Sequence, residues 1–95
     1  MKVVWSEQAD RGWREIARYI SRDFGRYGLK VFKERTKECE AFISKFPKGS
    51  NVAWVDEETG IEYRWRSIHH RSKMLYFIDD NKVVIADFWD VRSDK

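Results

Sequence analysis

Residues 73–91 read KMLYFIDDNKVVIADFWDV, and this stretch decides the fold. Two apolar runs, 73–78 and 83–91, flank the polar residues of DDNK, a combination typical of two strands joined by a hairpin. The second run is apolar at odd and even positions alike, which predicts a central strand with both faces covered. The C-terminal half of the chain is therefore expected to form an antiparallel sheet.

The sequence before this hairpin continues the β pattern. Residues 61–68, IEYRWRSI, alternate in polarity, so Tyr63 and Trp65 are expected on one face of a strand. Residues 51–55, NVAWV, form a further short extended piece, and DEETG at 56–60 is a turn. Together with the hairpin, these segments predict three or more consecutive strands.

The N-terminal half predicts one strand followed by two helices. KVVW at 2–5 is a β-branched run, and Ser6 stands where the N-cap of a helix is expected. Apolar residues then recur at helical spacing as far as Phe24, and again from Leu29 to Phe46, with two glycines between the runs. Pro47 ends the second helix. The two helices are expected to form an antiparallel hairpin with a short link.

The order β-α-α-β-β-β predicts an α+β fold, a two-layer sandwich. Its N-terminal strand joins a mainly antiparallel sheet, and the helical hairpin packs on that sheet. The 95 residues suit one domain, 1–95. Cys39 is the single cysteine, which excludes an intramolecular disulfide and a thiolate metal cage. Because no apolar stretch reaches the length of a signal peptide or membrane span, we expect a cytoplasmic protein without a membrane partner.

Positive charge is clustered, although the net charge is only +3. Residues 63–78, YRWRSIHHRSKMLYFI, hold four cations, two histidines and no acid. Arg64 and Arg66 share one face of their strand, and Lys73 lies on the next strand. Like charges on neighbouring strands destabilise a sheet unless acids or a bound anion neutralise them. We therefore expect Arg64, Arg66 and Lys73 to converge on an anion-binding site, the alternative being a solvated outer face.

Other polar residues bear on this predicted site. His70, beside His69, titrates near neutral pH and could transfer a proton, the alternative being a solvated turn residue. Arg92 could hold a phosphate with two hydrogen bonds, or pair with Asp90 or Asp94. Adjacent histidines diverge and no third ligand is evident, so no metal site is expected.

Further candidates lie outside this cluster. The sequence does not decide whether the side chains of Trp54 and Trp89 are buried, and one of them could be exposed and serve as a docking anchor. Cys39, Trp13 and Phe32 are expected in the core. One side of the first helix carries arginines opposite its apolar face, which is either solvated or a partner contact. These arginines are Arg11, Arg14, Arg18 and Arg22.

Three segments resemble the RelE/ParE superfamily of bacterial type II toxins. They are EYRWRSI at 62–68, KMLYFIDDNKVVIADFWDVRSD at 73–94, and the helical hairpin ending at Pro47. The resemblance extends from Val4 to Asp94 and implies both the β-α-α-β-β-β fold and a cognate antitoxin as partner. It also implies one of two activities, which are ribosome-dependent cleavage of mRNA in one branch and poisoning of DNA gyrase in another.

The resemblance to the ribonuclease branch assigns roles to the basic residues. Arg64 and Arg66 match cations that surround the scissile phosphate from one strand, and Lys73 matches a cation on the next strand. Arg92 matches a basic residue that supports the transition state after the last strand. We therefore favour an endoribonuclease of ribosome-bound mRNA that needs no metal or cofactor, with Lys73 or one of the histidines, His69 or His70, moving the proton. The alternatives are a gyrase poison without catalysis and a toxin that retains only antitoxin binding.

Overall fold

The computed structural model describes residues 1–69 and 72–90. Its elements are strand β1 (Lys2–Trp5), helix α1 (Glu7–Lys45), and strands β2 (Asn51–Val55), β3 (Glu62–His69), β4 (Ser72–Asp79) and β5 (Lys82–Asp90). The strands form one sheet in the order β1-β5-β4-β3-β2, in which only the β1–β5 pair is parallel. The predicted α+β class with a mainly antiparallel sheet is confirmed. Strand β5 lies inside the sheet, between β1 and β4, as its apolar pattern predicts, but α1 covers only one of its two faces.

The helical part of the fold differs from the prediction of two separate helices. A single helical segment, α1, contains one residue with non-helical angles, Gly25, with φ 71° and ψ −162°. A straight helix of its 39 residues would be about 58 Å long, whereas the molecule's longest dimension is 40 Å. The indole of Trp13 donates to the hydroxyl of Thr36 at 2.9 Å, so the segment folds back on itself. A break at one glycine, which tolerates positive φ, replaces the predicted link.

The start of α1 is fixed against the centre of the sheet by Ser6, the predicted N-cap. Its hydroxyl accepts from the Ala9 N–H at 3.0 Å and donates to the Ala86 carbonyl at 2.8 Å. Its own N–H donates to the Ile85 carbonyl at 2.9 Å. One side chain therefore satisfies an N–H that the first helical turn leaves unpaired, and also holds the helix to β5.

The hydrophobic core lies between α1 and one face of the sheet. Phe32 is fully buried and stacks on Trp13, with ring centroids 5.1 Å apart. Tyr76 is also fully buried, and its hydroxyl donates to the Pro47 carbonyl at 2.8 Å. Phe32 and Cys39 belong to the core and Trp13 packs against it, so these three predictions are confirmed. The core side chains are those of Ala9, Ile16, Ala17, Ile20, Phe32, Cys39, Ile43, Ile68, Met74, Tyr76, Val83, Ile85 and Phe88.

The side of α1 that faces away from the core is charged. The arginine row of the first half, Arg11, Arg14, Arg18 and Arg22, is exposed along its whole length, as the spacing predicts. Two of the four guanidiniums pair with a neighbouring carboxylate, that of Arg14 with Asp10 and that of Arg22 with Asp23. In the part of the chain that the structure describes, no helix is long and apolar enough to cross a membrane.

Candidate functional site on the open face of the sheet

The two faces of the sheet have different surroundings, and the β3–β4 register assigns each predicted cation to a face. Arg64 lies opposite Tyr76 and Arg66 opposite Met74, both of which are fully buried against α1. Residues directly opposite each other in an antiparallel pair project to the same face. Arg64 and Arg66 therefore lie on the face covered by the helix. Lys73 projects to the opposite face, which α1 leaves open.

Arg64 is held within the protein. Its guanidinium donates to the Ser50 carbonyl at 2.8 Å and pairs with the Glu62 carboxylate at 3.0 Å. Its side chain is only 13% exposed. The contact with Glu62 agrees with the sequence, because the alternation of β3 places both residues on one face. This arginine is partly neutralised and ties the loop after α1 to β3, so its charge is directed inward.

Arg66 lies against the C-terminal half of α1. Its guanidinium carbon is 3.6 Å from the centre of the Phe42 ring, a close cation–π contact. It also lies beside Cys39, whose thiol donates to the Ser67 carbonyl at 3.4 Å. Burial raises the pKa of the Cys39 thiol, and the Arg66 charge offsets only part of that effect. Arg66 therefore acts as a packing residue at the rim of the core.

The predicted convergence of the three cations is wrong, because the fold places them on two faces of the sheet. The ammonium of Lys73 lies 4.4 Å from the centre of the Trp65 ring, on the face opposite Arg64 and Arg66. The remaining two predicted site residues, His70 and Arg92, lie outside the described residues. Within residues 1–69 and 72–90, no group of three or more histidine, cysteine or acidic residues is arranged to hold a metal ion.

The open face of the sheet carries a cluster of aromatic side chains, which we call the aromatic face. Trp54 stacks on Tyr63 at 5.0 Å and on Trp89 at 6.0 Å, and the two indole planes are 9° apart. Tyr63 meets Phe77 edge to face at 5.3 Å. The aromatic face consists of Trp54, Tyr63, Trp65, Phe77 and Trp89, with Lys73 at Trp65.

This surface is accessible and unusually apolar for the outer face of a two-layer fold. Trp54 and Trp89 are 44% and 41% exposed, although each is already stacked. Below them Leu75 is buried, so the aromatic rings act as a cover over the open side of the sheet. The sequence predicted a docking anchor at one of the two tryptophans. It gave no indication that they stack together, since two strands, β3 and β4, lie between β2 and β5.

A groove of about 780 Å³ continues from the aromatic face to the free edge of β5. Strand β1 pairs with β5 only as far as Ile85, so the rest of that edge faces the first turns of α1. Asp87 is fixed there by hydrogen bonds from the amide of Gln8 at 2.8 Å and the indole of Trp89 at 2.9 Å. The orientation of Trp89 is therefore set by a carboxylate anchored to the helix.

Comparison with known proteins identifies the family. The family model described as "ParE toxin of type II toxin-antitoxin system, parDE" matches residues 3–94. The chain belongs to the ParE toxin family. It is thus a toxin of the type II toxin–antitoxin class, and its resemblance to the RelE/ParE superfamily is confirmed.

A solved structure supports the fold of this ParE-family toxin. A chain of the crystal structure of the heterotetrameric YoeB-YefM toxin–antitoxin complex from Staphylococcus aureus matches with a TM-score of 0.53 and 21% identity. The match covers 92% of each chain. At this identity the likeness concerns the fold alone. A comparison with curated proteins finds no match.

The Cys39 thiol of this toxin is expected to resist alkylation. Its raised pKa and its burial should slow reaction with iodoacetamide at pH 8 at least 100-fold relative to the urea-unfolded chain.

The raised pKa also makes the free energy of unfolding depend on pH, because the thiol loses its proton at a lower pH in the unfolded chain than in the folded one. The contribution of Cys39 to the free energy of unfolding is fully present below the pKa of an unfolded thiol, about 8.5, and is lost as pH rises further. Denaturant titrations between pH 7 and 10 measure this pH dependence of the free energy of unfolding, and Cys39→Ala, which removes the thiol, is the control. Rapid alkylation of the native protein would contradict the prediction that the thiol is protected.

Proposed function

We propose that this toxin arrests growth by binding and poisoning DNA gyrase, without nucleolytic chemistry of its own, and that the aromatic face makes the contact. One observation carries the proposal. The cations that a ribonuclease would gather around a phosphate lie on two faces of the sheet, whereas exposed aromatic residues gather on one.

Cleavage of RNA by its 2′-hydroxyl needs a group that moves a proton and cations that stabilise a dianionic transition state. Arginine stays protonated and cannot act as the base. On the face that α1 covers, Arg64 donates to a backbone carbonyl and Arg66 packs on the Phe42 ring. Lys73 lies on the other face, over the ring of Trp65. Among the described residues, these three cations cannot act together on one phosphate without refolding of the sheet.

The aromatic face has the chemistry of a protein-docking surface. Tryptophan and tyrosine are the residues that most often dominate binding energy at interfaces, because they bury a large area with few torsions to fix. Trp54 and Trp89 present stacked indoles, and Asp87 holds one of them in place. This preorganisation lowers the entropy lost on binding. Poisoning of gyrase is the activity that the superfamily resemblance implies for a toxin without catalysis.

A cognate antitoxin is the expected partner in the resting cell. The similar solved structure is a complex of a toxin with an antitoxin, and family membership implies the same arrangement here. We propose that the antitoxin covers the aromatic face, because an exposed apolar surface of this kind invites association. The toxin should therefore co-purify with a small acidic protein encoded beside it, and that protein should shield Trp54 and Trp89 from fluorescence quenching by acrylamide.

Two double variants test the proposal. Trp54→Ala with Trp89→Ala should abolish growth arrest on induced expression, and Arg64→Gln with Arg66→Gln, on the face covered by the helix, should leave it intact. Incorporation of labelled thymidine should stop before that of labelled methionine. In vitro, purified toxin should trap gyrase–DNA cleavage complexes, and the tryptophan double variant should lose this activity at least tenfold.

Matched controls separate binding from folding. Val55 lies on the same strand as Trp54 and is 50% exposed. It pairs with Glu62, whereas Trp54 pairs with Tyr63, so its side chain projects to the face of the sheet opposite the aromatic face. Val55→Ala should keep full toxicity, and circular dichroism should show the tryptophan variant folded. If translation stops first, mRNA is cut, and the Arg64/Arg66 variant is harmless, the gyrase hypothesis is wrong and the ribonuclease hypothesis, with Arg64, Arg66, Lys73, His70 and Arg92 as its site, is favoured.

A further inference from the structure

Helix α1 carries the net positive charge of this protein. The residues of α1 include ten lysines and arginines against seven acids, a net charge of +3, and nine of these cations lie at positions 11–37. The rest of the chain has nine cations and nine acids, so the net charge of +3 resides on α1. Such an asymmetry concentrates a positive potential on one side of a small protein and favours a polyanionic partner there.

The second half of α1 carries a row of exposed cations. We call Arg26, Lys30, Lys33 and Lys37 the basic row. They recur at steps of four, three and four, so they follow one side of the helix over about 16 Å. All four side chains are exposed, and within the described residues none forms an ion pair. They line a shallow depression of about 410 Å³ together with Leu29 and Glu34.

The composition of this surface decides between kinds of polyanion. An acidic protein would need apolar anchors to bind stably along the row, but the exposed large hydrophobic side chains near it, Phe24 and Tyr27, lie at its Arg26 end, and positions 28–37 expose none. A single-stranded nucleic acid would need a series of aromatic rings for successive bases to stack on, whereas Tyr27, at one end of the basic row, is the one exposed aromatic ring at positions 26–37. Duplex phosphates need only aligned cations, and interfaces with them are polar and positively charged.

We infer that the basic row binds the phosphate backbone of a nucleic-acid duplex, that this duplex is DNA, and that binding does not depend on the base sequence. Lysine and arginine on phosphate oxygens position a protein on a duplex but carry no base information. The basic row lies on the helix, and the aromatic face lies on the opposite side of the sheet. The two surfaces can therefore be occupied at the same time. The inference does not depend on the gyrase proposal.

Binding of the full-length toxin to a 24-base-pair DNA duplex of arbitrary sequence, followed by fluorescence anisotropy, tests the inference. With four phosphate contacts, the logarithm of the binding constant should fall against the logarithm of salt concentration with a slope of about −3.6. Lys30→Gln with Lys33→Gln should reduce the magnitude of that slope by about 2 and weaken binding at least tenfold at low salt. The thermal melting temperature should not change, because both side chains are exposed.

A variant of equal charge serves as control. Lys2→Gln with Lys48→Gln also removes two exposed cations, but from outside α1, and it should leave the affinity within about twofold and the slope nearly unchanged. Equal losses in the two double variants, or no duplex binding at 50 mM salt, would overturn the inference. An RNA duplex of the same sequence forms the second arm. Comparable affinity supports backbone contact, and a tenfold preference for RNA would overturn DNA as the source.

The outcomes also separate this inference from the gyrase proposal. Toxin that binds duplex DNA through the basic row but never traps gyrase would support the inference and contradict the proposed function. Toxin that traps gyrase equally well with or without Lys30 and Lys33, and shows no duplex binding, would do the reverse.

Discussion

Replacing Gly12 with alanine should destabilise this toxin by about 2 kcal/mol, although the same change stabilises an ordinary helix interior by about 1 kcal/mol. A Cβ at this position would lie 2.9 Å from the backbone oxygen of Phe88 and 2.9 Å from a carboxylate oxygen of Asp87. A backbone oxygen cannot change rotamer as a side chain can, so α1 must move away from β5 to make room for the added Cβ. That movement would also disturb the Ser6 contacts that fix the start of the helix.

Urea titration of the free energy of unfolding measures this effect. Ser21→Ala, at an exposed position of the same helix, is the control and should be neutral or slightly stabilising. Since Asp87 also orients Trp89, Gly12→Ala should weaken toxicity together with stability. An alanine variant as stable as the parent would show that the helix does not approach β5 this closely.

Replacing Phe32 with alanine should cost about 3–5 kcal/mol, the largest loss that we expect from a single substitution. Its ring is fully buried, stacks on Trp13 and lies 5.7 Å from the ring of His69 on β3. It therefore joins the two halves of α1 to the sheet. The cavity left by the ring cannot collapse easily, because helix and strand contact it from different sides. A domain of this size has roughly 5–15 kcal/mol of stability, so the variant should be largely unfolded at 37 °C.

Phe24 supplies a matched control for this prediction. It lies on the same helical segment but is 54% exposed beside the break at Gly25, so Phe24→Ala should cost less than about 1 kcal/mol. Thermal melting followed by circular dichroism compares the two variants directly. Similar melting temperatures for both would mean that Phe32 is not the link between the helix halves and the sheet.

Much of the fold could be predicted from local patterns. The hairpin at residues 79–82 follows from polar turn residues between two apolar runs, and Ser6 follows from its position before a helical periodicity. The number of separate helices did not follow. Two glycines interrupt the apolar pattern, but only Gly25 adopts a positive φ, and helical hydrogen bonding resumes directly after it. A gap in hydrophobic periodicity therefore indicates that a helix no longer contacts the core there. It is a less reliable indication that the helix ends.

The candidate site was less predictable. Period two correctly grouped Arg64 with Arg66 and Tyr63 with Trp65, but it could not say which pair the helix would cover. Both pairs are amphipathic. An arginine can extend its aliphatic stem along Phe42, and an aromatic ring can remain half exposed when other rings stack on it. Lys73 was placed on the same strand pair correctly and on the wrong face relative to the arginines, because the register between β3 and β4 was unknown.

The sequence by itself determined the strands and their order, the start of the helical region, the α+β class and membership in a toxin superfamily, since these depend on spacing within short segments. Only the tertiary structure decided which side of the sheet receives α1. That choice separates Arg64 and Arg66 from Lys73 and leaves Trp54 and Trp89 stacked on the open side. The physical reason is that strand periodicity is symmetric between the two faces. The register of β3 on β4, together with the fully buried Met74 and Tyr76, breaks that symmetry.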